Sequence, residues 1–225
     1  MLESRVFKEI AIRDGVPLPY VEKDYVMGWL LWAISNDPIL SGWLVLKGGN
    51  CLRKIYFTDT RFSDDLDFTA LHLDTETVFR QRLNSICDAV SGVSGIEFDR
   101  NRTTVVEKET PFSEFKALDG RVYFKGFADD ASVTMRVKFD VSDFEKIILP
   151  TPRLPIIHPY EDADKLATSV LTYSLEEVLA EKLRSWIQRT RPRDLFDVVK
   201  IIQNHAVPIS KKQLLSVFLR KTIFK

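Results

Sequence analysis

The sequence predicts an α+β protein: a mixed sheet forming an α/β core, flanked by helices, with a helical part at the C-terminal end. Three observations carry that reading. An apolar run, Trp43-Leu-Val-Leu-Lys47, stops at the pair Gly48-Gly49. Alternation of apolar and polar residues appears at 65–69 and recurs between 96 and 142. After the prolines at 150, 152, 155 and 159, the remaining apolar spacing is helical.

Each element has a local reason. Leu2, Val6 and Ile10 have helical spacing over residues 2–13, and Gly15-Val-Pro closes that helix. A second helix is expected over 21–35, its stripe of Tyr25, Trp29 and Trp32 assigned to the core. Asn36-Asp37-Pro38 breaks it. Residues 43–47 read as a buried strand, 50–57 as a short helix, 65–69 as the next strand and 74–90 as a helix, with Gly92 and Gly95 marking a turn. IEFDR, TTVVEK, RVYFKGFA and SVTMRVKFDVS read as antiparallel strands joined by Gly- and Asp-containing turns. Residues 150–159 form an extended connector, and helices are expected over 175–188, 194–204 and 211–219. Ser174 and Glu177 have the spacing of a capping box. This layout divides into a core with N-terminal helices, 1–150, and a C-terminal helical part, 151–225.

Composition narrows the function. The chain has 225 residues, 45% of them hydrophobic, which is ordinary for a globular protein. Thirty-two basic and 32 acidic residues cancel, so any contact with a polyanion must come from a local patch. Two cysteines, Cys51 and Cys87, make neither a disulfide framework nor a Cys-rich zinc site, and fit a reducing compartment. The N-terminus mixes charges through its apolar residues, unlike a signal peptide, and no run is long enough to span a bilayer. A cytoplasmic protein without a membrane partner is expected.

The chemistry sits in carboxylates. In a strand, Asp65 and Asp67 point to one face about 7 Å apart, while Leu66 and Phe68 anchor the other. Two such charges repel unless a cation offsets them, so the strand is a mount for Mg²⁺ or Mn²⁺. Asp64 points the other way. The alternative, a wet edge strand, wins for an isolated DxD. Here, however, Gly48 and Gly49 lie at a strand–helix junction, where backbone N–H groups receive phosphate oxygens and the absence of Cβ allows close approach. Asp140, between Phe139 and Val141, supplies a third carboxylate if its strand lies beside the first. Three carboxylates suit a two-metal phosphoryl or nucleotidyl transfer, with Asp140 accepting the proton of the attacking hydroxyl. Lys182, beside the apolar seam of its helix, suits a triphosphate contact. Asp194 reads equally well as a helix N-cap, and Asp197 as the partner of a nearby Arg. Neither GxxxxGK[ST] nor HRD occurs, which removes support for P-loop and protein-kinase chemistry.

Together, Gly48-Gly49, the run Arg61-Phe-Ser63-Asp-Asp65-Leu-Asp67, Asp140, Glu181-Lys182 and Arg193-Asp194-Leu-Phe-Asp197 resemble the AbiEii/AbiGii toxin family, a branch of the polymerase-β-type nucleotidyltransferases. The resemblance spans residues 46–197. It implies a polymerase-β-like fold and Mg²⁺-dependent transfer of a nucleoside monophosphate from an NTP to RNA, such as tRNA, or to protein. It also implies a toxin of a toxin–antitoxin or phage-defence system, with a cognate antitoxin as a further partner. By the same resemblance Gly48, Gly49, Asn50, Arg61, Ser63 and Lys182 bind nucleotide, and Asp65, Asp67 and Asp140 bind metal. Asp194 completes the downstream acidic position, with Asp197 second. Asn50 stands where Ser or Thr is frequent, replacing a hydroxyl donor with an amide. Family members often continue with further helices, so the 151–225 part is expected to be short against theirs, as a short member or a truncated one. The competing reading is a non-catalytic NTP-binding or partner-binding module that keeps the fold.

Overall fold

The computed structural model describes residues 2–110, 115–127, 133–204 and 208–223. Helix α1 (Ser4–Asp14) ends where Gly15 takes a left-handed conformation, φ +63°. Helix α2 (Leu18–Asn36) starts after Pro17, at whose end prolines fit because no intrahelical N–H is lost. It is buried over most of its length, with Tyr25 and Trp29 fully enclosed, Trp32 packed against the core, and the buried Asp24 paired with Arg53 and Lys54. The short α3 (Leu40–Trp43) leads into β1 (Leu44–Lys47). Then come α4 (Gly48–Cys51), a π-helical turn at Leu52–Tyr56, β2 (Asp65–Ala70) and α5 (Glu76–Ser94).

A 3-10 turn at Arg100–Arg102 precedes β3 (Thr104–Lys108), β4 (Ala117–Lys125) and β5 (Thr134–Ser142). These complete a five-stranded sheet in the order β1-β2-β5-β4-β3, antiparallel except for the parallel pair β2–β5. The architecture is thus the mixed α+β core expected, with helices flanking the sheet and a helical C-terminal region. β6 (Arg153–Pro155) and β7 (Ser169–Leu171) form a separate two-stranded ribbon. Helices α7 (Pro192–Gln203) and α8 (Lys211–Ile223) both pack on α6 (Leu175–Arg189). None of the described helices is long and apolar enough to cross a membrane.

The sheet has two unlike faces. Leu66, Phe68, Leu118, Val122, Val137, Phe139 and Val141 are buried on one, where α5 lies close enough for a Cβ at Gly120 to meet Leu83 at 2.9 Å. The other face carries the charged residues described below.

Several elements differ from expectation. IEFDR contributes only the bridge Phe98–Phe124, since its backbone turns into the 3-10 segment after two residues. Helix α5 runs through Gly92 and stops at Gly95, whose φ of +76° makes the left-handed cap. The proline-rich connector holds β6, whose Leu154 pairs with Val170. Helix α7 begins at Pro192 with Arg191 as N-cap, so Asp194 lies inside the first turn rather than at the cap. The Ser174 box is half made: Ser174 Oγ accepts from the Glu177 N–H, while the Glu177 carboxylate accepts from the N–H groups of Ile148 and Leu149. The expected turn at 129–131, the strand residues Ala128 and Ser132 on either side of it, and the last two residues of the chain lie outside the described residues.

Candidate active site

Strand register builds the site. Lys47 of β1 lies opposite Asp67 of β2, Asp67 opposite Asp140 of β5, and Asp140 opposite Asp119 of β4. Asp65 lies opposite Lys138 in the next same-facing row. Opposed residues share a face, so all of these side chains stand on the sheet surface away from the α5 side. Asp65, Asp67 and Asp140 are therefore brought to one face, each part-buried. Asp64 is exposed and ion-paired with Lys23 of α2.

Gly48 and Gly49 sit against this row. Gly48 has φ +73°, and a Cβ there would lie 2.2 Å from Asp67 Oδ2 and 3.1 Å from Asp67 Cβ. At Gly49 a Cβ would lie 2.6 Å from Ser63 Oγ and 3.2 Å from Arg61 Nη2. The pair lets the main chain press directly on the metal-candidate carboxylate and on Arg61 and Ser63. Asn50 is fully buried: its amide donates to the Asp65 carbonyl at 2.6 Å, fixing the first residue of β2. Its side chain is thus turned into the protein.

The carboxylates are not equivalent. Burial, with the Asp140 and Asp65 charges added, raises the Asp67 carboxyl to about 6, against the opposing pull of Lys47. Asp65 is raised too, chiefly by burial. Asp140 is lowered, because Lys108 and Lys138 each donate to Oδ2 at 3.0 Å and outweigh its burial. Among the described residues no three Asp, Glu, His or Cys side chains converge on a single ion position. The three aspartates share a face and adjacent strands, with Asp140 turned onto its two lysines.

A second cluster joins the sheet to the C-terminal helices. Asp197, 1% exposed, accepts from Arg61 Nε at 2.8 Å and Nη2 at 2.7 Å. The same carboxylate pairs with Lys182 Nζ at 2.7 Å, while Asp194 reaches Lys182 at 3.3 Å. Asp197 is the common partner of both basic residues. Glu181 pairs with Lys221 of α8 at 2.7 Å.

Sequence reasoning missed Lys47, Lys108, Asp119, Lys138 and Glu145. Glu145 pairs with both Lys47 and Arg184, and these charges hold its carboxyl down at about 2 despite burial. Lys138 had a usable signal, since it precedes Asp140 by two residues in an alternating strand. Lys47 precedes the glycine pair in the same phase. Lys108, Asp119 and Glu145 had none, because only register and packing bring them here.

Over residues 29–224 the chain matches a family model described as the nucleotidyl transferase AbiEii toxin of a type IV toxin–antitoxin system. Two solved structures share its fold. MenT4, a nucleotidyltransferase toxin from Mycobacterium tuberculosis, is 20% identical with a TM-score of 0.63, over 98% of this chain and 70% of its own. JHP933 from Helicobacter pylori is 17% identical with a TM-score of 0.55, over 91% and 79%. No curated protein gives a significant match.

Proposed function

The chain belongs to the AbiEii nucleotidyl transferase toxin family, and from that premise we propose that it transfers a nucleoside monophosphate from an NTP to an acceptor, RNA such as tRNA or a protein. The observation that most supports this reading is the approach of Gly48 to Asp67, with room for no Cβ between them. Such a contact brings backbone N–H donors and paired carboxylates to one point, which phosphate and its counter-cation both require.

In this reading the N–H groups from Gly48 to Asn50 receive phosphate oxygens. Arg61 and Lys182 add positive charge, and Asp197 holds the two at fixed positions. Asp65 and Asp67 would hold Mg²⁺ or Mn²⁺, with Asp140 beside them. The residues fit that ion: they offer hard oxygen donors, and Asp67 is raised to about 6 because Lys47 only partly offsets its burial and the Asp140 and Asp65 charges. Bound there, the ion would offset charge on the phosphates and polarise the α-phosphoryl group. Asp140, kept ionised by Lys108 and Lys138, would accept the proton of the acceptor hydroxyl. The hydroxyl oxygen bonds to the α-phosphorus as the α–β bond breaks, and pyrophosphate leaves. The family further suggests a role as the toxin of a toxin–antitoxin or phage-defence system.

The test is transfer of label from each α-³²P-NTP to total RNA or to protein in a cell extract, with Mg²⁺ or Mn²⁺. Labelling by wild type and its loss in Asp65→Ala and Asp67→Ala is the expected result. Equal labelling by the variants overturns the metal assignment. Binding of NTP with no labelling leaves the non-catalytic module in its place.

A further inference from the structure

We propose that the face of β3, β4 and β5 that carries Asp119 and Asp140 is, towards its exposed outer end, a docking surface for single-stranded nucleic acid, leading from the candidate active site along the sheet. Strand alternation puts Arg121, Tyr123 and Lys125 of β4 on the same face as Asp119, and Arg136 and Lys138 of β5 on the face of Asp140. Register sets Arg121 beside Lys138 and Tyr123 beside Arg136. The other side of these strands is buried against helices, whereas Lys125, Thr134, Arg136, Thr104 and Val106 on this side are exposed. Nearer the candidate active site Asp119 is buried, and Arg121, Tyr123 and Lys138 between are half-buried.

The chemistry of the surface selects the occupant. From Asp119 to Lys125, about 20 Å of strand at roughly 3.3 Å per residue, the face is basic with one aromatic at its centre. Arg102 lies over the Tyr123 ring, its guanidinium carbon 4.5 Å from the centroid. Arg136 has no carboxylate partner among the described residues, whereas Lys125 has Glu97 and Arg121 has Asp119. A chain whose charges cancel overall has thus gathered cations on one open surface. A row of cations at strand spacing suits successive phosphates, and a ring already stacked on a guanidinium suits a base. An acidic protein would match the cations and leave the ring unused. The row ends at Lys138 and Lys108, which hold Asp140, so a strand lying on it brings one end to the carboxylates. That the bound strand is the acceptor rests on the transferase reading; the binding itself does not.

The test is fluorescence anisotropy with a short labelled single-stranded RNA, its DNA counterpart and a duplex. Wild type is compared with the Arg102→Ala/Tyr123→Ala/Arg136→Ala variant, and with Arg136→Glu alone, which leaves the sheet packing untouched. Single strands are expected to bind wild type, and the triple variant at least tenfold more weakly. Loss of two phosphate contacts should reduce the slope of log affinity against log salt by about 1.4. Arg136→Glu should weaken binding in the same direction, and NTP binding should be unchanged in both variants. Absence of binding to wild type, preference for the duplex, or equal binding by the variants overturns the proposal. Those outcomes leave the transferase reading standing, because it is read separately from NTP binding and labelling.

Discussion

Replacing Gly48 with Ala tests the site at its tightest contact, and the structure separates two effects. The first is backbone strain: φ is +73°, and an L-residue in the left-handed region costs roughly 1–2 kcal/mol. The second is overlap with Asp67, whose Oδ2, Cγ and Cβ would lie 2.2, 3.0 and 3.1 Å from the new methyl. Rotating the carboxylate clears the oxygen and leaves the other two atoms crowded, so overpacking adds roughly 1–3 kcal/mol. The expected loss of unfolding free energy is therefore about 2–5 kcal/mol, measured by urea titration of the fluorescence of the four tryptophans. In an Asp67→Ala background the oxygen and Cγ are gone, and the same substitution should cost about 1–2 kcal/mol of strain plus the residual contact with the residue-67 Cβ at 3.1 Å. The double-mutant cycle should then show a coupling of about 1–3 kcal/mol. Gly15→Ala is the control, because Gly15 has φ +63° and a Cβ there meets nothing within 4 Å. It should cost the strain alone and show no coupling to residue 67. Additivity of Gly48→Ala and Asp67→Ala to within about 0.5 kcal/mol would refute the argument that the glycine exists to admit the carboxylate.

Three further outcomes are expected. Asp197→Ala should weaken NTP binding more than Asp194→Ala does, because Asp197 holds Arg61 and Lys182 while Asp194 reaches Lys182 alone; equal losses in an NTP titration would contradict the clamp. His158 is held down to about 4, first by burial and next by the Lys54 charge, against an ordinary value near 6.5. As pH falls from 6.5 towards 4 the unfolded chain takes this proton and the folded one does not, so stability drops by up to about 3 kcal/mol. Asp67, raised to about 6, pulls the other way over part of that range, so the effect is read as the difference between wild type and His158→Gln; a pH-independent difference would sink it. Mg²⁺ at about ten times its dissociation constant should stabilise wild type by roughly 1.4 kcal/mol in thermal melts and leave Asp65→Ala/Asp67→Ala unmoved, and an equal shift in both would place the ion elsewhere.

Much of this architecture was legible in the chain because it is local. Alternation puts Asp65 and Asp67 on one face with Leu66 and Phe68 behind them, whatever the neighbouring strands are. The same rule placed Asp140 with Phe139 and Val141 at its back, and helical spacing put Tyr25 and Trp29 in the core. Local rules erred where a partner decided. Gly92 is a weak helix residue that the packing of α5 carries through. IEFDR has strand alternation and too little edge to pair with. Asn50 has a free amide on paper, and the Asp65 carbonyl takes it.

What the chain determined alone is the phase of each strand, the left-handed positions suited to glycine, and the helices at its end, because each depends on residues a few places apart. Tertiary structure decided what those positions face. It set Gly48 against Asp67, put Lys108 and Lys138 on Asp140, and gave Arg61 and Lys182 a common partner in Asp197. It also left Thr104, Val106, Lys125, Thr134 and Arg136 exposed on one face of β3, β4 and β5. Register and helix docking made those choices, and they depend on contacts between residues up to 136 positions apart.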